Sequence, residues 1–133
     1  MSSAPEILTV STENAPAAIG PYSQAVIHNG TAYVSGQIPL HPGTGELVGT
    51  TAAEQVAQVL ANLDAVLTAA GSSRAAILRC GIYLADMADF AVVNRAYAEW
   101  LGDHRPARAT VAVQALPRGA LVEIDCMALV TNR

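Results

Sequence analysis

The run TAAEQVAQVLANLDAVLTAAG, residues 51–71, opens on Thr51-Ala52-Ala53-Glu54 and closes on Gly71. A threonine followed three residues later by a glutamate satisfies orphan amides at a helix start, and a glycine accommodates the left-handed turn that ends one. In between, Val56, Val59, Leu60, Leu63, Val66, Leu67 and Ala70 recur at helical spacing along one apolar stripe, with Gln55, Gln58 and Asn62 off it. The segment therefore predicts an amphipathic helix that lays one face on a sheet. The sheet begins upstream, where Ser23 to His28 and Thr31 to Gln37 are β-compatible runs joined by Asn29-Gly30. That dipeptide tolerates the positive φ angles of a two-residue turn, so the pair predicts a hairpin. Pro39, Pro42, Gly43, Gly45 and Gly49 make the connection to the helix a loop, and the residues up to Pro21 read as irregular apart from a short strand at Ile7 to Ser11.

Downstream, Ile77 to Leu84 suits a strand with Leu78, Cys80, Ile82 and Leu84 on one face and Arg79, Gly81 and Tyr83 on the other. Asp86 can cap a second helix that places Phe90, Val93, Tyr97 and Trp100 on roughly one side and ends at Gly102. After the loop His104-Arg105-Pro106, two strands at about Ala109 to Gln114 and Leu121 to Val130 flank Pro117-Arg118-Gly119. The order β, β-β, α, β, α, β-β predicts an α+β fold, a mixed sheet with two helices on one face. Two helices cover only one side of such a sheet, so the other side is polar or meets something else, and a partner subunit is one simple cover.

At 133 residues the chain is expected to be one domain. Hydrophobic residues make up 52% and charged ones 14%, against about 25% charged in ordinary soluble proteins, and this apolar excess suggests oligomerisation. All seven basic residues are arginine. Without lysine there is no lysine Schiff base, no anchored pyridoxal phosphate and no P-loop lysine. The first 73 residues carry five acids and no base, the remaining 60 carry seven bases and six acids, and this leaves no broad basic face for nucleic acid. No apolar run approaches the length that spans a bilayer, no basic leader precedes Arg74, and the two cysteines suit a reduced compartment, so a cytoplasmic protein without a membrane partner is expected.

Several constellations dissolve on inspection. Gly43, Gly45 and Gly49 are spaced G-x-G-x-x-x-G after two prolines, which does not fit a dinucleotide-binding loop. His28, His41 and His104 lie far apart and, with Cys80 and Cys126, match no zinc spacing, so no metal site is expected. The cysteines sit among apolar strand neighbours and read as small core residues. Asn29-Gly30-Thr31 matches a glycosylation acceptor, but the turn accounts for it.

What remains is Pro106-Ala107-Arg108-Ala109-Thr110 entering one strand and Val122-Glu123-Ile124 in the next, a charge of each sign in an apolar hairpin. With Glu13 to Gln24, Ser35-Gly36-Gln37-Ile38-Pro39, Thr44-Gly45-Glu46, Asp89-Phe90 to Asn94 and Leu116-Pro117, these segments resemble the Rid family of reactive-intermediate deaminases, also called the YjgF family, from Ser11 to the C-terminus. The resemblance implies a chorismate-mutase-like fold, a homotrimer with clefts at the subunit interfaces, and hydrolysis of small imino and enamino acids to 2-keto acids and ammonia without a cofactor. Carried over by motif, Arg108 would grip the substrate carboxylate, Glu123 would position or activate water, and Tyr22, Ser35, Gly36, Asn94 and Thr110 would line the cleft.

These assignments have chemical sense. A planar carboxylate matches the guanidinium fork of an arginine, and a carboxylate within reach of water can take its proton as the water attacks a C=N carbon. Each also has an ordinary structural account: a surface ion pair for Arg108, a solvent-facing strand residue for Glu123, simple packing or solvation for Tyr22, Ser35 and Asn94, and a β-bulge for Gly36. Thr110 stands where many family members carry cysteine, and its hydroxyl can still hold water. Gln114 stands where a small residue is usual. The alternative reading is a trimeric protein that binds small 2-keto acids without turnover, since a shared fold does not carry an activity with it.

Overall fold

A computed structural model describes residues 6–132. Its six strands are β1 (Leu8–Val10), β2 (Ala25–His28), β3 (Thr31–Gln37), β4 (Ile77–Leu84), β5 (Ala107–Ala112) and β6 (Val122–Leu129), and its helices are α1 (Ala52–Ala69) and α2 (Phe90–Leu101). The strands form one mixed sheet in the order β1-β2-β3-β6-β4-β5. Every pairing is antiparallel except β4 with β5, which run parallel because α2 carries the chain from one to the other. This is the predicted α+β arrangement.

The local signals hold. Thr51 and Glu54 form a reciprocal capping box at the start of α1. Asn29 and Gly30 take φ of 50° and 77° at the β2–β3 turn, and Gly102 takes 68° at the end of α2. One hydrophobic cluster lies between the sheet and both helices, built on Val56, Val59, Leu63, Val66 and Leu67 of α1 and on Ile82, Leu84, Val122, Ile124 and Ala128 of the sheet. Cys80 and Cys126 face each other across β4 and β6 within it, and burial pushes both thiols up. Asp64, Arg74 and Trp100 lock α1 to α2: Arg74 meets Asp64 at 2.6 Å, Trp100 Nε1 donates to the same carboxylate at 2.9 Å, and the guanidinium sits over the indole.

Four sequence expectations shift. Leu78 does not share a face with Cys80: an extra residue in β4 opposite β6 makes a bulge there, so Ile77 takes the core position and Leu78 is 45% exposed. Gln55 and Asn62, off the apolar stripe, are nonetheless 2% and 1% exposed. They are buried because loop backbone presses on that side of the helix and needs partners. Gln55 accepts from Leu121 N and donates to Gly49 O, while Asn62 donates to Ile38 O and Leu40 O. Asp86 caps a single 3₁₀ turn, Met87–Asp89, rather than α2 itself. β5 begins two residues earlier than predicted, because pairing with β4 extends back to Ala107 and draws Arg108 into the strand.

Candidate active site

Alternation along the strands sorts the candidate residues. In β6, Val122, Ile124 and Cys126 face the helices, so Glu123 and Asp125 face the other way, onto the side of the sheet no helix covers. In β5, Arg108 is the register partner of Cys80 and Thr110 that of Ile82, both core residues of β4. Arg108 and Thr110 thus share the helix side, where α2 overhangs the sheet edge. The two predicted catalytic groups therefore lie on opposite faces of one sheet, and a single protomer does not bring them together.

Around Arg108 the chain makes one half-site. Its Nη1 donates to Asn94 Oδ1, and its guanidinium lies 5.7 Å from the ring centre of Phe90 and 5.4 Å from that of Tyr97. A cavity of about 550 Å³ opens beside it, walled by Asn94, Tyr97, Ala98, Leu101, Arg105 and Pro106. Arg105 turns Nη1 onto the carbonyls of Gly102 and His104, at the C-terminal end of α2. The Thr110 hydroxyl is buried and, among the described residues, has no hydrogen-bond partner.

Around Glu123 it makes the other. A cavity of about 480 Å³ is lined by Ile19, Tyr22, Ser35, Gly36, Ile38, Pro117 and Glu123. Ser35 and Gly36 lie where β3 gains a residue against β6, between Val34 and Gln37. A Cβ on Gly36 would fall on Glu123 Oε2 and within 2.9 Å of its Cδ, so glycine is required for the carboxylate to lie flat against β3. The bulge and the close approach thus coincide at Gly36. Ser35 Oγ donates to Ser23 O at 2.6 Å, which ties β3 to the segment carrying Tyr22, whose ring is exposed. Glu123 is half-buried, and burial, reinforced by the charge of Asp125, raises its pKa above the ordinary carboxylate value. Asp125 itself is engaged with Gly81 N and the Tyr83 hydroxyl.

The structure thus gathers Asn94, Arg108 and Thr110 on one side and Tyr22, Ser35, Gly36 and Glu123 on the other. Phe90 and Tyr97, predicted to lie on one side of the second helix, pack on the core and also set their rings beside the Arg108 guanidinium. Their spacing with Asn94, at i, i+4 and i+7 on α2, was the signal available. No helix among the described residues is long and apolar enough to cross a membrane.

The chain is thus an α+β protein with a half-buried carboxylate on one face of its sheet and an exposed arginine on the other, and comparison with known proteins gives its family. The family model described as endoribonuclease L-PSP matches residues 12–130, and the chain belongs to this family, that of the Rid or YjgF proteins which its motifs resemble. It is 47% identical over 117 residues to a RutC family protein of Pyrococcus horikoshii, spanning 88% of this chain and 93% of that one. It is 44% identical over 120 residues to a Bos taurus protein named 2-iminobutanoate/2-iminopropanoate deaminase, spanning 90% and 88%. Among solved structures, a Rid family protein of unknown function from Yersinia pestis superposes with a TM-score of 0.92 at 47% identity, covering 94% of this chain and all of that one.

Proposed function

We propose that the chain is a homotrimeric deaminase that hydrolyses reactive 2-imino and 2-enamino acids, 2-aminoacrylate with its tautomer 2-iminopropanoate and 2-iminobutanoate, to 2-keto acids and ammonia. The observation that carries this reading is the pair of half-sites: an arginine that has no acidic partner among the described residues, beside a cavity lined by no acid among them, and a half-buried glutamate of raised proton affinity beside a second cavity. The likeness to a relative named as such a deaminase supports it. Each half-site lacks what the other has, so we place the reaction where Arg108 of one protomer meets Glu123 of its neighbour. The uncovered sheet face, with Tyr33, Val111 and Leu129 exposed, is the surface for that association.

In this site Arg108 takes the substrate carboxylate through its guanidinium fork, and Asn94 fixes the fork's orientation. Water adds to C2: its oxygen forms the C–O bond, the C=N π pair moves to nitrogen, which takes up a proton, and Glu123 accepts the proton that water loses. The carbinolamine then collapses as Glu123 returns that proton to nitrogen. The C–N bond breaks, the hydroxyl loses its proton to solvent, and 2-keto acid and ammonia leave. A carboxylate whose proton affinity burial raises suits both halves of this exchange, and general acid–base catalysis of this kind is worth roughly 10²- to 10⁴-fold in rate. Thr110 offers its unpartnered hydroxyl to the bound water or carboxylate, and Tyr22, Ser35 and Gly36 wall the cleft.

The test is release of keto acid and ammonia when purified protein is added to imine generated from serine or threonine by a dehydratase. Acceleration that Arg108→Ala abolishes is the expected result. Binding of 2-oxobutanoate without any acceleration would leave a ligand-binding protein, and cleavage of an RNA oligonucleotide without imine turnover would favour the activity in the family's description.

A further inference from the structure

We propose that Phe90 and Tyr97 form an aromatic clamp that positions Arg108 and keeps its charge free for an anionic ligand. The inference rests on the deaminase reading and names two positioning residues within it. Phe90, Asn94 and Tyr97 occupy i, i+4 and i+7 of α2, so all three project from one stripe of the helix. The parallel pairing of β5 with β4 brings Arg108 under that stripe, with its guanidinium 5.7 Å and 5.4 Å from the two ring centres and one nitrogen bonded to Asn94.

The choice of aromatic rings has a chemical reason. An aspartate here would hold the guanidinium equally well, but it would fill the fork and cancel the charge that a substrate carboxylate must meet. Ring faces attract a cation without accepting its N–H bonds. Among the described residues Arg108 has no carboxylate partner, whereas Arg74 is paired with Asp64. With one N–H given to Asn94, the remaining donors stay available, and the flexible side chain is ordered before the ligand arrives, which lowers the entropic cost of binding. Tyr97 is 5% exposed and its hydroxyl lies against the buried Cys80 thiol rather than against Arg108, so what it offers the guanidinium is the ring.

The experiment measures the affinity of 2-oxobutanoate by titration calorimetry and KM and kcat with generated imine, in wild type, Arg108→Ala, Phe90→Leu, Tyr97→Leu and Tyr97→Phe, with Tm of each. The clamp predicts that Phe90→Leu and Tyr97→Leu weaken keto-acid binding and raise KM about tenfold with kcat little changed, while Tyr97→Phe keeps wild-type affinity. A role confined to packing would lower Tm without moving either constant. Folded Phe90→Leu with wild-type affinity, or loss of affinity in Tyr97→Phe, overturns the clamp. Should Tyr97→Leu fail to fold, Phe90→Leu, whose side chain is only half-buried, decides the matter. If Arg108→Ala leaves the affinity intact, the deaminase site itself is wrong. If Arg108→Ala loses it and Phe90→Leu does not, only the clamp falls.

Discussion

On the proposed mechanism, Glu123 trades stability for chemistry. Burial and Asp125 disfavour its charged form, so its pKa in the folded chain lies above the value it has unfolded. Between those two values the folded state binds more protons, and stability falls as pH rises through that window. Above it the full penalty is present, and below the unfolded value it vanishes. Glu123→Gln is therefore expected to raise Tm at pH 7 while removing turnover, with the gain shrinking as pH is lowered toward 4.5. Thermal unfolding of both proteins across that range checks the sign, and a gain that grows with acidification would refute it. The stretch around Glu123 stood out in the sequence as a charge in an apolar hairpin. Its contact with Gly36 did not: the glycine suggests a bulge, but only the pairing of β3 with β6 sets that bulge against the Glu123 carboxylate.

At the level of elements, the legible features were those whose partners lie close in the chain: the capping box of α1, the Asn29-Gly30 turn, the glycine stop of α2. Gln55 was misread because its partners, Gly49 on one side and Leu121 sixty-six residues away on the other, are assembled only by the fold. It works as a peg between α1 and the approach to β6. Replacing it by a leucine of similar volume would leave a part-buried amide and a part-buried carbonyl unpaired, at a cost of about 2 kcal/mol. Urea denaturation of Gln55→Leu should show a clearly lower midpoint with an unchanged slope, and a midpoint equal to wild type would mean that the loop finds other partners. Leu78 was misplaced for a related reason, since one extra residue in β4 reverses which side of the strand faces the core. Phe90 and Tyr97 were legible as a stripe but not as a clamp, because only the β4–β5 pairing puts Arg108 beneath them.

For the whole molecule, the apolar composition and the count of two helices against six strands already pointed to a sheet face needing cover. The structure leaves Tyr33, Val111 and Leu129 on that face, next to Glu123 and Asp125. Which protomer supplies which half of a site is testable by mixing. Arg108→Ala and Glu123→Gln should each be inactive, yet equal amounts unfolded and refolded together should recover about one quarter of wild-type activity, since a site is intact when each neighbour brings its unmutated group. No recovery in mixed trimers confirmed by mass spectrometry would place both residues in one subunit's cleft and contradict their separation across the sheet.

That separation has a further consequence for how the protein behaves at different abundances. A lone protomer holds both charges but, with the sheet between them, can offer neither to the substrate gripped by the other. Activity on this reading is a property of concentration as well as of sequence. Below the level at which copies associate, output should then fall more steeply than the amount of protein, so that dilution alone would silence a catalyst built in this way.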